Sequence, residues 1–576
     1  MPEPTDWVTR AADDTVRHHE KFGTGDLITC ASGASPSGHV HLGNLREFLT
    51  VHFVAEELRR RGLTVRHLHS WDDYDRFRKV PAGVDPSWAT HIGRPLSAVP
   101  DPSGEYESWA ERFKAPLVAS LRDLGVEMEA KSQTVEYTSG RYRDPILGAL
   151  SRRTEIEAIL ARYRTKPVQA GSEQEAAALA DSVTAEDDGP DSGALARFPY
   201  KPFCAECGRD TTTVTSYDDT THVLSYQCSA CGFVGDQNLA EDDMAVSRGK
   251  LVWKVDWPMR WAFEGVAFEP GGVDHASPGS SYTVGKDMVR IFDGAAPWFV
   301  GYSFVGAGGQ VKMSSSRGGV PTATDALRIL EAPILRWLYV RRQPKQAFNV
   351  DFGPEVVRLY DEWDTLGKKA ADPDRRDAHV LAFERASSTQ HAGVLPTPAV
   401  PVPFRLLSSV ADVTAGSADL ISAVVTSAGY PHDSVGDLEP RLDKAMTWMA
   451  DYVPQDQRTT VRTVADADRL AGLSAREQTW ITTLLDQMGT GFDLGQITSL
   501  VYGVPKLVRG LALDDAPTEE VKSDQKAFFH LLYNLLVDAD AGPRLPTLFL
   551  ALGPDRIRAL LSTGATVGAP NPEGTP

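Results

Sequence analysis

The chain has 576 residues, 42% of them hydrophobic and 24% charged, with a formal net charge of −19. That length accommodates roughly three to four domains of about 150 residues, and the composition is that of ordinary globular material. No apolar run reaches the roughly 18 residues of a membrane span, and the polar, acid-bearing opening reads as neither a signal nor a transit peptide.

The acidity argues against unspecific sliding along nucleic acid, which wants a basic protein, but leaves room for a local basic face. A cytoplasmic location is the expectation. Residues 26–31, "DLITCA", read as a short buried strand, and the bare segment "ASGASPSGHVHLGN" (31–44) follows it. The next stretch carries Leu45, Phe48, Leu49, Phe53 and Leu58 near helical spacing and stops at Gly62, as an amphipathic helix does. "LTVRHLHSW" (63–71) is the next strand. Strand, glycine loop, helix and strand make a βαβ unit, so the opening is α/β with a parallel sheet. Ligands of such sheets bind beyond the carboxyl ends of the strands, where this loop lies.

Residues 107–165 read as mostly helical, and the acidic segment 168–198, nearly free of aromatics, reads in part as a mobile insertion. A second α/β stretch runs from about 250 to 332. Beyond it, stretches such as "LEPRLDKAMTWMADYV", "AREQTWITTLLDQMG" and "QKAFFHLLYNLLVDA" show helical periodicity, which predicts an all-α second half. The tail "TGATVGAPNPEGTP" reads as disordered.

Four of the five cysteines form two C-x-x-C pairs, Cys204/Cys207 and Cys228/Cys231, separated by twenty residues. This spacing suits four thiolates around one tetrahedral zinc, and each pair runs into a glycine, as the tight turn of a zinc ribbon requires. The residues between read as a β-hairpin. Four thiolates leave no open position, so such a metal is structural. Disulfides are the alternative, which a reducing compartment disfavours. Cys30, inside the first strand, reads as a small buried apolar residue.

In the opening loop, Gly33, Gly38 and Gly43 permit positive φ and close backbone approach. The helix N-terminus behind them offers free N–H groups to phosphate. His41 and Asn44 are three apart and share a helix face. No Gly-Lys-Ser/Thr closes the loop, so it is not a P-loop. A glycine-rich turn alone carries little. The segment "VKMSSSRGG" (311–319) adds Lys312, three serines and Arg317, a set of ammonium, guanidinium and hydroxyl donors suited to a triphosphate.

"HLGN" and "KMSSS", 270 residues apart, resemble the HIGH and KMSKS signatures of class I aminoacyl-tRNA synthetases. Asn44 stands at the second His of the first, and Ser315 at the second Lys of the other. Together with "DDYDRFRKVP" (72–81) and "WKVDWPMRWAFEGVAFEPGGVDH" (253–275), they resemble class I lysyl-tRNA synthetases, whose own pattern has both departures. The resemblance spans residues 20–350 and continues more loosely through "DEWD" (361–364). It implies ATP-dependent activation of lysine to lysyl-adenylate, then transfer to the 3′-terminal adenosine of tRNA(Lys). His41, Asn44, Lys312 and Ser315 are then catalytic. Pro36, Gly38, His41, Gly43, Asn44, Lys312, Met313, Ser314 and Ser316 bind ATP with Mg2+. Gly33, Ser35, Trp253 and His275 line the lysine site. Asp73 and Asp256 each either face the ammonium or serve as a helix cap or a surface acid.

The implied organisation is a Rossmann-like nucleotide-binding domain with a zinc-ribbon-containing insertion, followed by an all-α C-terminal half. Residues 20–115 carry the first catalytic half and 116–250 the insertion, with its ribbon at 204–231. Residues 251–332 carry the second half with the KMSKS-type loop. Residues 333–400 are a helical stem-contact region, 401–563 an anticodon-binding region and 564–576 a tail. Arg141, Arg143, Arg152, Arg153, Arg162, Arg164 and Lys166, with Arg336, Arg341, Arg342 and Lys345, either contact tRNA phosphates or are solvated helix faces. The implied partners are tRNA(Lys), L-lysine and ATP, with no DNA, no membrane and a monomeric chain. Two rivals remain: a related class I synthetase for glutamate, glutamine or arginine, and a non-catalytic RNA-binding paralogue.

Overall fold

A computed structural model describes residues 5–562 apart from 82, 165–196, 241–247, 278, 308–319 and 492. The expected mobile segment as far as residue 196, the KMSKS-type residues Lys312, Met313, Ser314, Ser315 and Ser316, Arg317 and the tail therefore lie outside the described residues, while Phe198 at the segment's end is buried in the core. The chain divides into two compact units. The first comprises Met1–Leu327, Ala332–Asp351 and Leu366–Leu395, and the second Arg328–Glu331, Phe352–Thr365 and Pro396–Pro576.

The first unit is built on β1 (Ile28–Ala34), α1 (Leu42–Arg60), β2 (Val65–Trp71), α2 (Trp109–Asp123) and β3 (Glu129–Ser132). Five short strands follow: β4 (Tyr200–Pro202), β5 (Thr212–Tyr217), β6 (Val223–Cys228), β7 (Val234–Asn238) and β8 (Gly249–Leu251). Then come α3 (Trp253–Glu264), β9 (Val266–Gly272) and β10 (Trp298–Tyr302). The central sheet has the order β10-β9-β1-β2-β3 and is parallel throughout. Winding proceeds outward from β1 in both directions, so β1 and β9 part at a topological switch point, where such sheets form their binding crevice.

The βαβ opening is as the apolar spacing requires, with β1 three residues longer at its end than "DLITCA" suggests. Strand β3, "EAKS", lies inside a stretch that reads as helical. It is a polar edge strand with no apolar alternation, and only its pairing with Leu68–Trp71 of β2 makes it a strand. None of Gly33, Gly38 and Gly43 adopts positive φ. Gly33 sits in β1 opposite Ser70, and Gly43 is in the first turn of α1.

Strands β5, β6 and β7 form a three-stranded antiparallel ribbon, reached through the β4–β8 ladder. The ribbon is not an independent bead. Its Cys204, Val214, Leu224, Tyr226 and Cys228 share one apolar cluster with Tyr74, Tyr137, Leu251 and with Val255 and Met259 of α3.

The second unit is helical among its described residues. The three periodic stretches of the sequence are helices at Arg441–Tyr452, Ala475–Gln487 and within Glu519–Val537. Trp480, Leu484, Val501, Phe528, Leu532, Leu548 and Phe549 form its core. Arg441, 1% exposed, is held by Glu331 at 2.6 Å and Asp364 at 2.9 Å, which gives "DEWD" a structural use. No described helix is long and apolar enough to cross a membrane.

Candidate active site

At the carboxyl ends of β1 and β9 lies a cavity of about 280 Å³. Gly33, Ala34 and Ser35 form one side, and Glu269, Pro270 and Gly271 of β9 another. Helix α3 supplies Trp253, Trp257, Arg260 and Trp261, whose four-, three- and one-residue steps bring them to one face. The helix ends at Gly265, whose φ of 60° turns the chain directly into β9. The Trp253 and Trp257 rings stack 5.3 Å apart, and His275 meets Trp257 edge-on at 5.8 Å.

Three carboxylates converge on this cavity, Asp72 and Glu269 buried and Glu47 partly exposed to it. Glu47 of α1 accepts the Gly33 N–H at 2.7 Å and the Tyr302 hydroxyl at 2.8 Å. Burial nonetheless pushes its pKa up to about 8. Glu269 accepts from the indole N–H groups of Trp257 at 3.0 Å and Trp261 at 2.5 Å, and burial holds it at about 7. Asp72 accepts from Arg260 at 2.8 Å, and burial outweighs that partner to raise it to about 6. Carboxylates desolvated beyond what their donors offset favour a ligand that brings positive charge. With indole faces around them, they suit an organic ammonium.

Of the six residues expected at the amino-acid site, Gly33, Ser35, Trp253 and His275 line this one cavity, although 220 residues separate the two pairs. Asp73 and Asp256 do not line it. Both oxygens of Asp73 are occupied, one by the Thr134 backbone N–H (2.8 Å) and hydroxyl (3.0 Å), the other by Lys114 (2.5 Å) and Ser132 (2.6 Å). Asp256 is fully buried beneath the cavity, bound by Tyr137 at 2.7 Å and Arg260 at 2.9 Å. Adjacent residues past a strand end point to opposite sides, which is why Asp72 faces the cavity and Asp73 does not. Glu47, Asp72 and Glu269 are absent from the expected set. The signal for Glu269 is a lone acid inside the apolar run "VAFEPGG", all of it buried. Glu47 hides in a helical pattern that also fits a solvated face.

The loop between β1 and α1 is held from two sides. Trp109 of α2 donates its indole N–H to the Ser37 carbonyl at 3.2 Å, and His39 packs edge-on against Phe113 at 4.9 Å. His41 is the N-cap of α1, and its N–H donates to Asn44 Oδ1 at 3.3 Å. The Leu42 N–H donates to the Pro321 carbonyl at 3.0 Å, and His41 pairs with Thr322 as an isolated β-bridge. The chain directly after the KMSKS-type segment is therefore bonded to the start of α1.

The Cys204–Cys231 and Cys207–Cys228 sulfurs are 3.6 and 3.7 Å apart, and all four Sγ atoms lie within 4.8 Å of one another. A tetrahedron with Zn–S bonds of about 2.3 Å has S–S edges of about 3.8 Å, so the cage fits zinc, while disulfide sulfurs are about 2.05 Å apart. Gly208 and Gly232 adopt φ of 70° and 76°, the left-handed turn each knuckle needs.

The basic residues divide. Arg336 is 0% exposed and donates to the carbonyls of Leu124, Arg385 and Ala386 and to His52, so it is a core strut and contacts no tRNA. Its helix Ala332–Val340 is buried along its length, which periodicity alone does not reveal. Arg152 pairs with Glu155 at 2.9 Å, Arg153 with Asp219 at 2.6 Å and Arg141 with Glu136 at 3.3 Å, the solvated-pair reading. Lys345 is exposed. The Arg164 side chain and Lys166 lie outside the described residues.

The family profile described as tRNA synthetases class I (K) matches residues 5–390. A lysine–tRNA ligase of Streptomyces coelicolor is 51% identical over 97% of this chain and 98% of its own. One of Thermococcus kodakarensis is 32% identical over 95% and 97% of the two chains, and one of Borreliella burgdorferi 30% over 94% and 96%. Family profile, near-full-length relatives and a switch-point crevice agree: the chain belongs to the tRNA synthetases class I (K) family.

Proposed function

We propose that this chain is a lysine–tRNA ligase that activates L-lysine with ATP and transfers it to the 3′-terminal adenosine of tRNA(Lys). The observation that carries the reading is the meeting of Glu47, Asp72 and Glu269 with Trp253 and Trp257 in one crevice. An ammonium there replaces the protons that burial favours on these carboxylates. Gly33 and Ser35 lie at the same end of β1 and present the amino-acid backbone to the nucleotide.

In the first step a lysine carboxylate oxygen attacks the α-phosphorus of ATP, which enters as its Mg2+ complex, and pyrophosphate leaves. In the second, a ribose hydroxyl of the terminal adenosine attacks the adenylate carbonyl carbon and AMP leaves. The protein's part is positioning and charge stabilisation. Pro36, Gly38, His41, Gly43 and Asn44 take the phosphate and ribose side at the α1 N-terminus. Lys312, Met313, Ser314, Ser315 and Ser316 take the triphosphate, a role supported by the bonding of Pro321 and Thr322 to the start of α1. Cys204, Cys207, Cys228 and Cys231 hold a structural zinc. The protein acts as a cytoplasmic monomer, and its helical unit reads the tRNA.

The test is ATP–pyrophosphate exchange over lysine, arginine, glutamate and glutamine. Exchange with lysine alone is expected. Exchange with another amino acid but not lysine overturns the specificity, and no exchange with any, tRNA present, overturns the activity.

A further inference from the structure

The amino-acid cavity rests on an ion network that begins in the root of the zinc-ribbon insertion. Lys250 lies in β8, at the point where the chain returns from the ribbon, paired with Lys201 of β4. Cys204 follows the end of β4 by two residues. The Lys250 side chain is 12% exposed, and its ammonium donates to Asp75 at 2.5 Å and lies 3.5 Å from Asp256. The same Asp256 oxygen accepts from Arg260 at 2.9 Å, whose other nitrogen donates to Asp72 at 2.8 Å. The Arg260 guanidinium also stacks over Trp253 at 5.1 Å. Asp72, Asp75, Arg260 and Trp253 all line the cavity, while Lys250 and Asp256 do not.

Three carboxylates thus share two cations. Each cation bridges two acids, and Asp256 is the shared link. Without Lys250, Asp75 keeps Arg78 and Arg260 near it, but the fully buried Asp256 has Arg260 alone among the described cations to neutralise it. Arg260 is then drawn away from Asp72 and from the Trp253 face, because a buried carboxylate without a partner is far costlier than a displaced guanidinium. The effect reaches the cavity although Lys250 does not touch its contents.

We propose that Lys250 is a positioning residue for amino-acid binding. Its ammonium clamps Asp75 and Asp256, so that the root of the zinc-ribbon insertion fixes Arg260, Asp72 and Trp253 in the lysine cavity. The role couples the fold of the insertion to the amino-acid site, and it rests on the lysine–tRNA ligase reading.

The test compares the wild type with K250M and K250R in the full chain. Lysine binding is followed by tryptophan fluorescence, and KM and kcat for lysine and ATP by pyrophosphate exchange. K250M is expected to raise the lysine Kd and KM by about tenfold or more, as for an Å-scale misplacement, with ATP KM changed less than about threefold. K250R is expected to restore lysine KM to within about threefold, because a guanidinium can span both acids. If K250M does not accumulate folded, K250Q replaces it. Lysine binding within threefold of wild type in either neutral variant overturns the proposal. Equal rises in lysine and ATP KM, or no rescue by arginine, also overturn it, because both mark general damage. A wild type that neither binds nor activates lysine overturns the functional reading itself, a failure seen without any variant.

Discussion

Replacing Glu47 by glutamine tests the central electrostatic argument. Glutamine keeps the size and shape of the side chain. Its amide oxygen still accepts the Gly33 N–H, which Glu47 takes at 2.7 Å, and the Tyr302 hydroxyl, 2.8 Å away, can rotate to accept from the new amide. The fold keeps its bonds, and only the negative charge is lost. Removing one partner of a desolvated charged pair costs about 2–5 kcal/mol. At about 3 kcal/mol the lysine KM in pyrophosphate exchange rises about 100-fold, since each 1.4 kcal/mol is tenfold. ATP KM is expected to stay within about threefold.

The pH dependence gives the same argument a sign. Glu47 at about 8 and Glu269 at about 7 are raised by burial, so the free site gains protons as pH falls through those values. Ammonium binding needs them ionised. Wild-type lysine KM is therefore expected to rise as pH falls from about 8.5 to 6, and in E47Q the upper part of that rise is expected to vanish. A lysine KM for E47Q within threefold of wild type, or a wild-type lysine KM flat across this range, refutes the reasoning.

Other perturbations have equally definite outcomes. A Cβ at Gly33 meets only Ser70 O at 3.7 Å and Asp72 at 3.9 Å, so Gly33→Ala is expected to melt within a few degrees of wild type yet weaken lysine binding by narrowing the cavity; a lower melting temperature with unchanged lysine KM contradicts this. Arg336→Leu strands the buried carbonyls of Leu124 and Ala386 and is expected to cost about 3 kcal/mol or more in urea denaturation, with tRNA KM unchanged in the folded fraction. Zinc measured by elemental analysis is expected at one per chain, and Cys228→Ser is expected to lose it with a lower melting temperature; metal-free, fully folded protein counts against the cage. His52, His67 and His69 are buried and neutral, their pKa values depressed by burial, that of His67 to about 3. The unfolded chain protonates them below about pH 6.5, so stability is present above that pH and lost as pH falls beneath it. Lysine-saturated protein, its pocket acids held ionised, is expected to melt lower at pH 5.5 than at 7.5, and an unchanged or higher melting temperature at pH 5.5 refutes the assignment.

Much of this protein is legible in the order of its residues. The βαβ opening is legible because apolar spacing and Gly62 act over a few residues. The four-cysteine ribbon is legible because a cage that fits a metal constrains both the spacing of four cysteines and the glycines after them. His41 and Asn44 share one turn of α1 for the same local reason. What the tertiary structure alone decides is where the charges go. Asp72 and Asp73 are neighbours of identical chemistry, and only the direction of the chain beyond β2 sends one into the crevice and the other to Lys114 and Thr134. Arg336 resembles a phosphate contact until the packing of its helix buries it. Strand β3 becomes a strand only by pairing with β2. Glu47, Asp72 and Glu269 come from three separate elements, and their common environment exists only once β1 and β9 lie side by side. Local pattern is set by bonds between near neighbours, but the charge state of a side chain is set by everything packed around it, which sequence order does not contain.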